Sequence, residues 1–136
     1  MALQSKTAIT QVYPHQNPTF AAAVAQLAGY DELAVNNVSQ AMPLDAYQTR
    51  VTTGHAASVG TLPAGEFPGQ RKVITLQALG SAGQTFALTP GAGVTWKQAD
   101  GATACASVTF DAANEYLLVE WNGARWTNVS TNATVA

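Results

Sequence analysis

The side chains of this 136-residue chain best suited to acid–base, nucleophilic or metal chemistry are two histidines, one cysteine and eight carboxylates. His55 and Ser58 in "GHAASVG" set a base type near a nucleophile type. Two intervening residues in an extended or looping segment do not fix the hydrogen bond that activates a hydroxyl, and no G-x-S-x-G elbow occurs. His15, between Pro14 and Gln16, reads as a solvated or interface imidazole. Cys105 in "TACASVTF" lies among small residues in an alternating run, with no cation beside it. That is the setting of a small buried hydrophobe and not of a reactive thiolate. Asp31, Glu32, Asp45, Glu66, Asp100, Asp111, Glu115 and Glu120 are dispersed and mostly sit in turn-like stretches, and only Asp111 with Glu115 suggests a glycosidase-type pair. One cysteine and two histidines supply neither a disulfide nor a four-ligand zinc site. "PGAGVTW" and "GSAGQTF" lack the strand, lysine and helix of a phosphate cradle. The sequons at Asn37, Asn128 and Asn132 read as accidents of a Thr- and Asn-rich chain without a secretory leader. The expectation is a non-enzyme with no catalytic, cofactor or metal site.

Whatever the chain does must come from its elements and its surface. Its length suits one domain with one core. Charged residues make up 10% of it and the net charge is −2, which leaves no basic stripe for nucleic acid. No apolar run approaches the roughly 20 residues of a membrane span. A soluble monomer ordinarily carries more surface charge, so part of this exterior is expected to be covered by protein partners. A small secreted β-protein shares such a composition.

The texture changes near residue 45, dividing the chain into an N-terminal arm with a short helix, 1–45, and a β-domain, 46–136. In "NPTFAAAVAQLAGYDEL", Asn17 can cap a helix, Pro18 suits its first turn and Gly29 can end it. Phe20, Val24, Leu27 and Ala28 would form its buried stripe. Met1 to Asn17 could reach roughly 55 Å if extended, enough to drape over a neighbour, with Val12, Tyr13, Pro14 and Phe20 as anchors. Alternatively, Met1 to Pro18 is a first strand and loop of the same domain. From Tyr47 onward, "YQTRVTT", "RKVITLQAL", "QTFALT", "GVTWK", "TACASVTF", "EYLLVEW" and "ARWTNV" alternate between glycine and proline turns. That spacing predicts an antiparallel sandwich or barrel. Ile74, Leu76 and Ala78 should face its core.

The last two of these runs meet in "VEWNGARWTNV". With Asn122 and Gly123 as a type I′ turn, Trp121 would oppose Ala124, Glu120 would form an ion pair with Arg125, and Val119 would oppose Trp126. Leu117, Val119, Trp121 and Trp126 then share one face, and both tryptophans read as core. The competing reading is an exposed aromatic platform for sugars or an interface anchor.

The Ala- and Thr-rich chain, its arm, "LPAGEFPGQRKVITLQAL" and the closing "VEWNGARWTNV" together resemble small virion proteins of tailed bacteriophages, above all capsid decoration or cement proteins. The likeness spans roughly Leu62 to Val129 and carries over no functional residue. It implies a mainly β, antiparallel, jelly-roll-like β-sandwich that is made in the host cytoplasm. As a dimer or trimer it would sit on the outside of the virion, its arm bridging subunits of the major capsid protein. The same texture occurs in phage fibre and knob domains, so a carbohydrate-binding module using Trp96, Trp121 or Trp126 is the alternative.

Overall fold

Alternation of small or β-branched residues with large apolar ones folds as strands in the described part of the chain. The computed structural model describes residues 30–35, 40–54 and 57–136. Among them are eleven strands: β1 Tyr30–Val35, β2 Gln40–Ala41, β3 Gln48–Thr53, β4 Ala57–Leu62, β5 Arg71–Ala78 and β6 Thr85–Pro90, followed by β7 Thr95–Lys97, β8 Val108–Phe110, β9 Tyr116–Trp121, β10 Arg125–Thr131 and β11 Thr134–Val135. They form two sheets. The six-stranded sheet A runs β1-β3-β5-β9-β10-β7, and the five-stranded sheet B runs β11-β8-β6-β4-β2.

Both sheets are mixed, which corrects the expectation of antiparallel, jelly-roll-like pairing. Five ladders are parallel, β1/β3, β3/β5, β2/β4, β4/β6 and β7/β10, and four are antiparallel. From β1 to β9 each strand lies in the opposite sheet from the one before it. For β1/β3, β3/β5, β2/β4 and β4/β6, two successive crossings bring the chain back to its first sheet in the same direction and produce a parallel pair, whereas the return from β6 to β8 reverses it. Among the described strands, β9 and β10 are the one consecutive pair that share a ladder.

Period-2 burial follows from the pleat. β3 and β9 alternate half-buried and buried positions throughout. The inward residues of both sheets join one hydrophobic cluster, with Val51, Ile74, Leu76, Leu117 and Val119 from sheet A and Leu62, Phe86, Leu88, Val108 and Phe110 from sheet B. Phe86 and Phe110 oppose each other across β6 and β8 with ring centroids 5.5 Å apart. In β5, Ile74 and Leu76 point inward as expected, but Ala78 is exposed. The register of β5 against β3 slips at this end, where Val51 opposes Leu76 and Thr52 opposes Ala78.

Two strands of the segment 1–45 belong to these sheets. β1 pairs with β3, β2 pairs with β4, and Val35 and Met42 lie in the core. The β-rich part of the chain therefore starts no later than Tyr30, and not at residue 46. The expected helix from Asn17 to Gly29 and the arm anchors Val12, Tyr13, Pro14 and Phe20 lie outside the described residues.

Candidate functional site

The β9–β10 hairpin forms, but with a longer turn than the Asn-Gly dipeptide suggests. Trp121 opposes Trp126, Glu120 opposes Thr127 and Val119 opposes Asn128. Asn122 to Arg125 make the bend: Asn122 N–H donates to Arg125 O at 3.1 Å, and Asn122 Oδ1 accepts the amides of Ala124 and Arg125, each at 2.9 Å. A type I′ turn needs positive φ at both central residues. Gly123 has φ +100° but Asn122 is not in that region, because its side chain stabilises the other geometry. The slip is two residues, so no side chain changes face. Leu117, Val119, Trp121 and Trp126 are all buried, as the alternation requires.

The predicted ion pair between Glu120 and Arg125 does not form. Glu120 Oε2 instead accepts Arg71 Nε at 2.8 Å, across the β5–β9 ladder. Both side chains are about half exposed, so the pair contributes only a few tenths of a kcal/mol. Arg125 Nε is buried without a hydrogen-bond partner.

All three tryptophans are interior, with relative exposures of 0% for Trp126, 2% for Trp96 and 7% for Trp121. Trp121 and Trp126 lie tilted with centroids 5.3 Å apart. The segment from Pro63 to Gln70 covers them. Trp126 Nε1 donates to Pro63 O at 2.8 Å, and the Trp121 backbone exchanges bonds with Gly69 N–H at 2.7 Å and Gln70 O at 2.8 Å. Gly65 rests against the Trp121 indole so closely that a methyl group there would overlap the ring. Trp96 Nε1 donates to Asn128 Oδ1 at 2.6 Å, and Asn128 Nδ2 approaches Cys105 Sγ at 3.8 Å. Burial pushes the Cys105 thiol up, against the smaller opposing effects of Asn128 and the Ser107 backbone, which leaves it a poor nucleophile. An exposed sugar platform on Trp96, Trp121 or Trp126 is thus excluded by their burial. So is glycan attachment at the buried Asn128.

The remaining candidates among the described residues do not converge. His15 and His55 lie outside the described residues. Ser58 is buried and its hydroxyl donates to Val35 O at 3.1 Å, a structural bond. Glu115 Oε2 accepts the amides of Asp111 and Ala112 at 2.6 and 3.2 Å, which commits this carboxylate to organising a turn. No group of three metal-ligating side chains occurs among the described residues. No helix among them is long and apolar enough to cross a membrane. An open groove of about 330 Å³ is lined by Gln98, Asn128, Val129, Ser130, Val135 and their neighbours, without a titratable side chain.

Asp100 closes the turn after β7. Its Oδ2 accepts Thr103 Oγ1 at 2.5 Å, and its Oδ1 accepts the amides of Thr103 and Ala102, each at 2.9 Å. These bonds, led by the Thr103 hydroxyl, lower its pKa from 3.8 to about 2. A depressed carboxylate stabilises the fold fully above its ordinary value and loses that contribution as pH falls through its folded value. The Ala102 and Thr103 amide resonances should therefore titrate with a midpoint near 2; a midpoint at 3.8 would show that the bonds do not form in solution.

One surface feature escaped the sequence reading: the partition of charge. The strands of sheet A contain Asp31, Glu32, Arg50, Arg71, Lys72, Lys97, Glu120 and Arg125. The strands of sheet B, "QA", "ASVGTL", "TFALTP", "VTF" and "TV", contain no charged residue. Its outward positions are Ala57, Val59 and Thr61 on β4, Thr85, Ala87 and Thr89 on β6, Thr109 on β8 and Thr134 on β11, with Ala41 on β2. The strand sequences hold this signal, but only the pairing order assembles it into one face.

What the geometry defines is a mainly β protein of two mixed sheets with one shared core. No protein-family model matches the chain, and no curated protein matches it significantly.

Proposed function

We propose that the chain is a structural virion protein of a tailed bacteriophage. It is made in the host cytoplasm and binds the outside of the capsid, where it cross-links neighbouring major capsid subunits and stabilises the shell. Its two sheets act as the layers of a β-sandwich body, and Met1 to Asn17 supplies the arm that reaches a neighbour. The observation that carries this reading is the uncharged outward face of sheet B. Such a face loses little hydration when it meets another protein, because it presents no charge to desolvate. Many copies on a repeating shell turn modest single contacts into firm attachment. The three tryptophans of a glycan-binding alternative are already used in the core, which weighs against that reading.

The experiment is heat disruption of decoration-free shells with and without the chain. A stabilising cross-linker raises the disruption midpoint by several degrees, and deletion of residues 1–17 removes most of that rise. An unchanged midpoint with the full chain would contradict the proposal. Equal stabilisation by the truncated chain would contradict the arm.

A further inference from the structure

We propose that the outward face of sheet B is the surface through which two copies of this chain associate. The inference uses the same face as the proposed function, whose coat contact then falls to the arm, but it does not need a capsid, since it concerns one sheet and its own image.

Two properties of the face point to a second copy, and a third limits the strength of the contact. First, a two-fold interface sets a patch against itself, and this patch contains no charge to meet its like. The nearest charge in register is Asp111, one residue beyond Phe110, at the end of the sheet opposite Thr85. Sheet A bears all the strand charges, including the solvated Arg71–Glu120 pair, and its outward side would be far costlier to dehydrate. Second, the side chains are short and aligned. Val59, Ala87, Thr109 and Thr134 form one row across four strands, and Ala41, Thr61 and Thr89 form another. Rows of Ala, Val and Thr let two sheets approach to about 10 Å. The hydroxyls need not be stranded by such contact, because they can bond within their own sheet, as Thr89 Oγ1 does to Gly60 O at 3.3 Å.

Third, the area sets the strength. Five strands spaced about 4.8 Å apart, with roughly six residues of 3.3 Å each, present at most about 480 Å² per copy. A stable complex buries roughly 800 Å² per partner. An interface below that size is of the weak, transient kind and becomes effective where copies are held side by side.

Sedimentation velocity of the full chain tests this between about 10 μM and 1 mM. The weight-average mass of the wild type rises toward that of a dimer across the series. Ala87→Glu, at the centre of the longer row, weakens association at least tenfold and keeps the wild-type melting temperature within a few degrees. Thr109→Lys in the same row gives the same result if Ala87→Glu does not fold. Thr127→Glu, on sheet A, associates like the wild type. A wild type that stays monomeric to 1 mM overturns the proposal. So does association unaffected by Ala87→Glu and Thr109→Lys, or equally weakened by Thr127→Glu. A monomer that still raises the shell disruption midpoint overturns this inference and leaves the virion reading intact.

Discussion

Trp126→Ala will lower the stability of the fold by about 3–5 kcal/mol, the range for deleting a large aromatic side chain from a core. The indole is fully buried and tilted against Trp121. Its loss opens a cavity that the flanking strands cannot close without moving β7, whose Trp96 opposes Trp126 in the β7–β10 ladder. The same substitution strands Pro63 O, which accepts Trp126 Nε1 at 2.8 Å, and so loosens the cover from Pro63 to Gln70. Trp126→Phe separates the two effects. It keeps most of the ring and loses only the donor, at about 1–3 kcal/mol for an unpaired buried carbonyl. Urea unfolding followed by circular dichroism measures both variants. A cost below about 1 kcal/mol for Trp126→Ala would mean that the ring is not core in solution, and would reopen the exposed-platform reading.

Lys72→Glu is expected to cost at least about 4 kcal/mol, or to prevent folding outright, because it inverts a donor inside the protein. Lys72 is 0% exposed, and its Nζ donates to Ala46 O at 2.7 Å. A carboxylate there would face a carbonyl oxygen, an unpaired buried charge of the kind that proteins do not tolerate. Lys72→Met keeps an apolar stem beside Val119, its register partner in β9, and removes the charged donor without adding a charge. Its cost should be smaller, about 1–3 kcal/mol. The ordering Glu worse than Met is the diagnostic result in thermal unfolding, since a solvated Lys72 would tolerate both substitutions within about 0.5 kcal/mol.

Lys72 also shows how far the sequence could be read. The alternation that placed Ile74 and Leu76 inward puts Lys72 on the same side two residues earlier, but lysine is so seldom fully buried that the pattern reads as ending there. Strand positions and faces were legible because period 2 is a property of the pleat alone. Pairing direction was not, because parallel and antiparallel strands share that period. The glycine turns that suggest hairpins here carry the chain from one sheet to the other. The exception is the Asn122-Gly123 bend, which connects consecutive strands in one sheet. Even there Asn122 Oδ1 takes two amides and lengthens the turn. Tyr30–Val35 was masked in the sequence by the alanine-rich run before it, which favours helix locally, whereas pairing with β3 favours strand. Ser58, Asp111 and Glu115 have side chains suited to chemistry, but the structure uses Ser58 and Glu115 as hydrogen-bonding braces. The charge-free face depends on residues from five separated strands and becomes visible only after the sheet order is known.

The claim on which the functional account rests is that this sparingly charged exterior meets other protein. Its most direct measurement is co-sedimentation of the full chain with decoration-free shells of a tailed-phage major capsid protein. The account predicts saturable binding at a fixed ratio to the coat subunits. Chain that remains in the supernatant at every concentration, beside shells that stay intact, would contradict it.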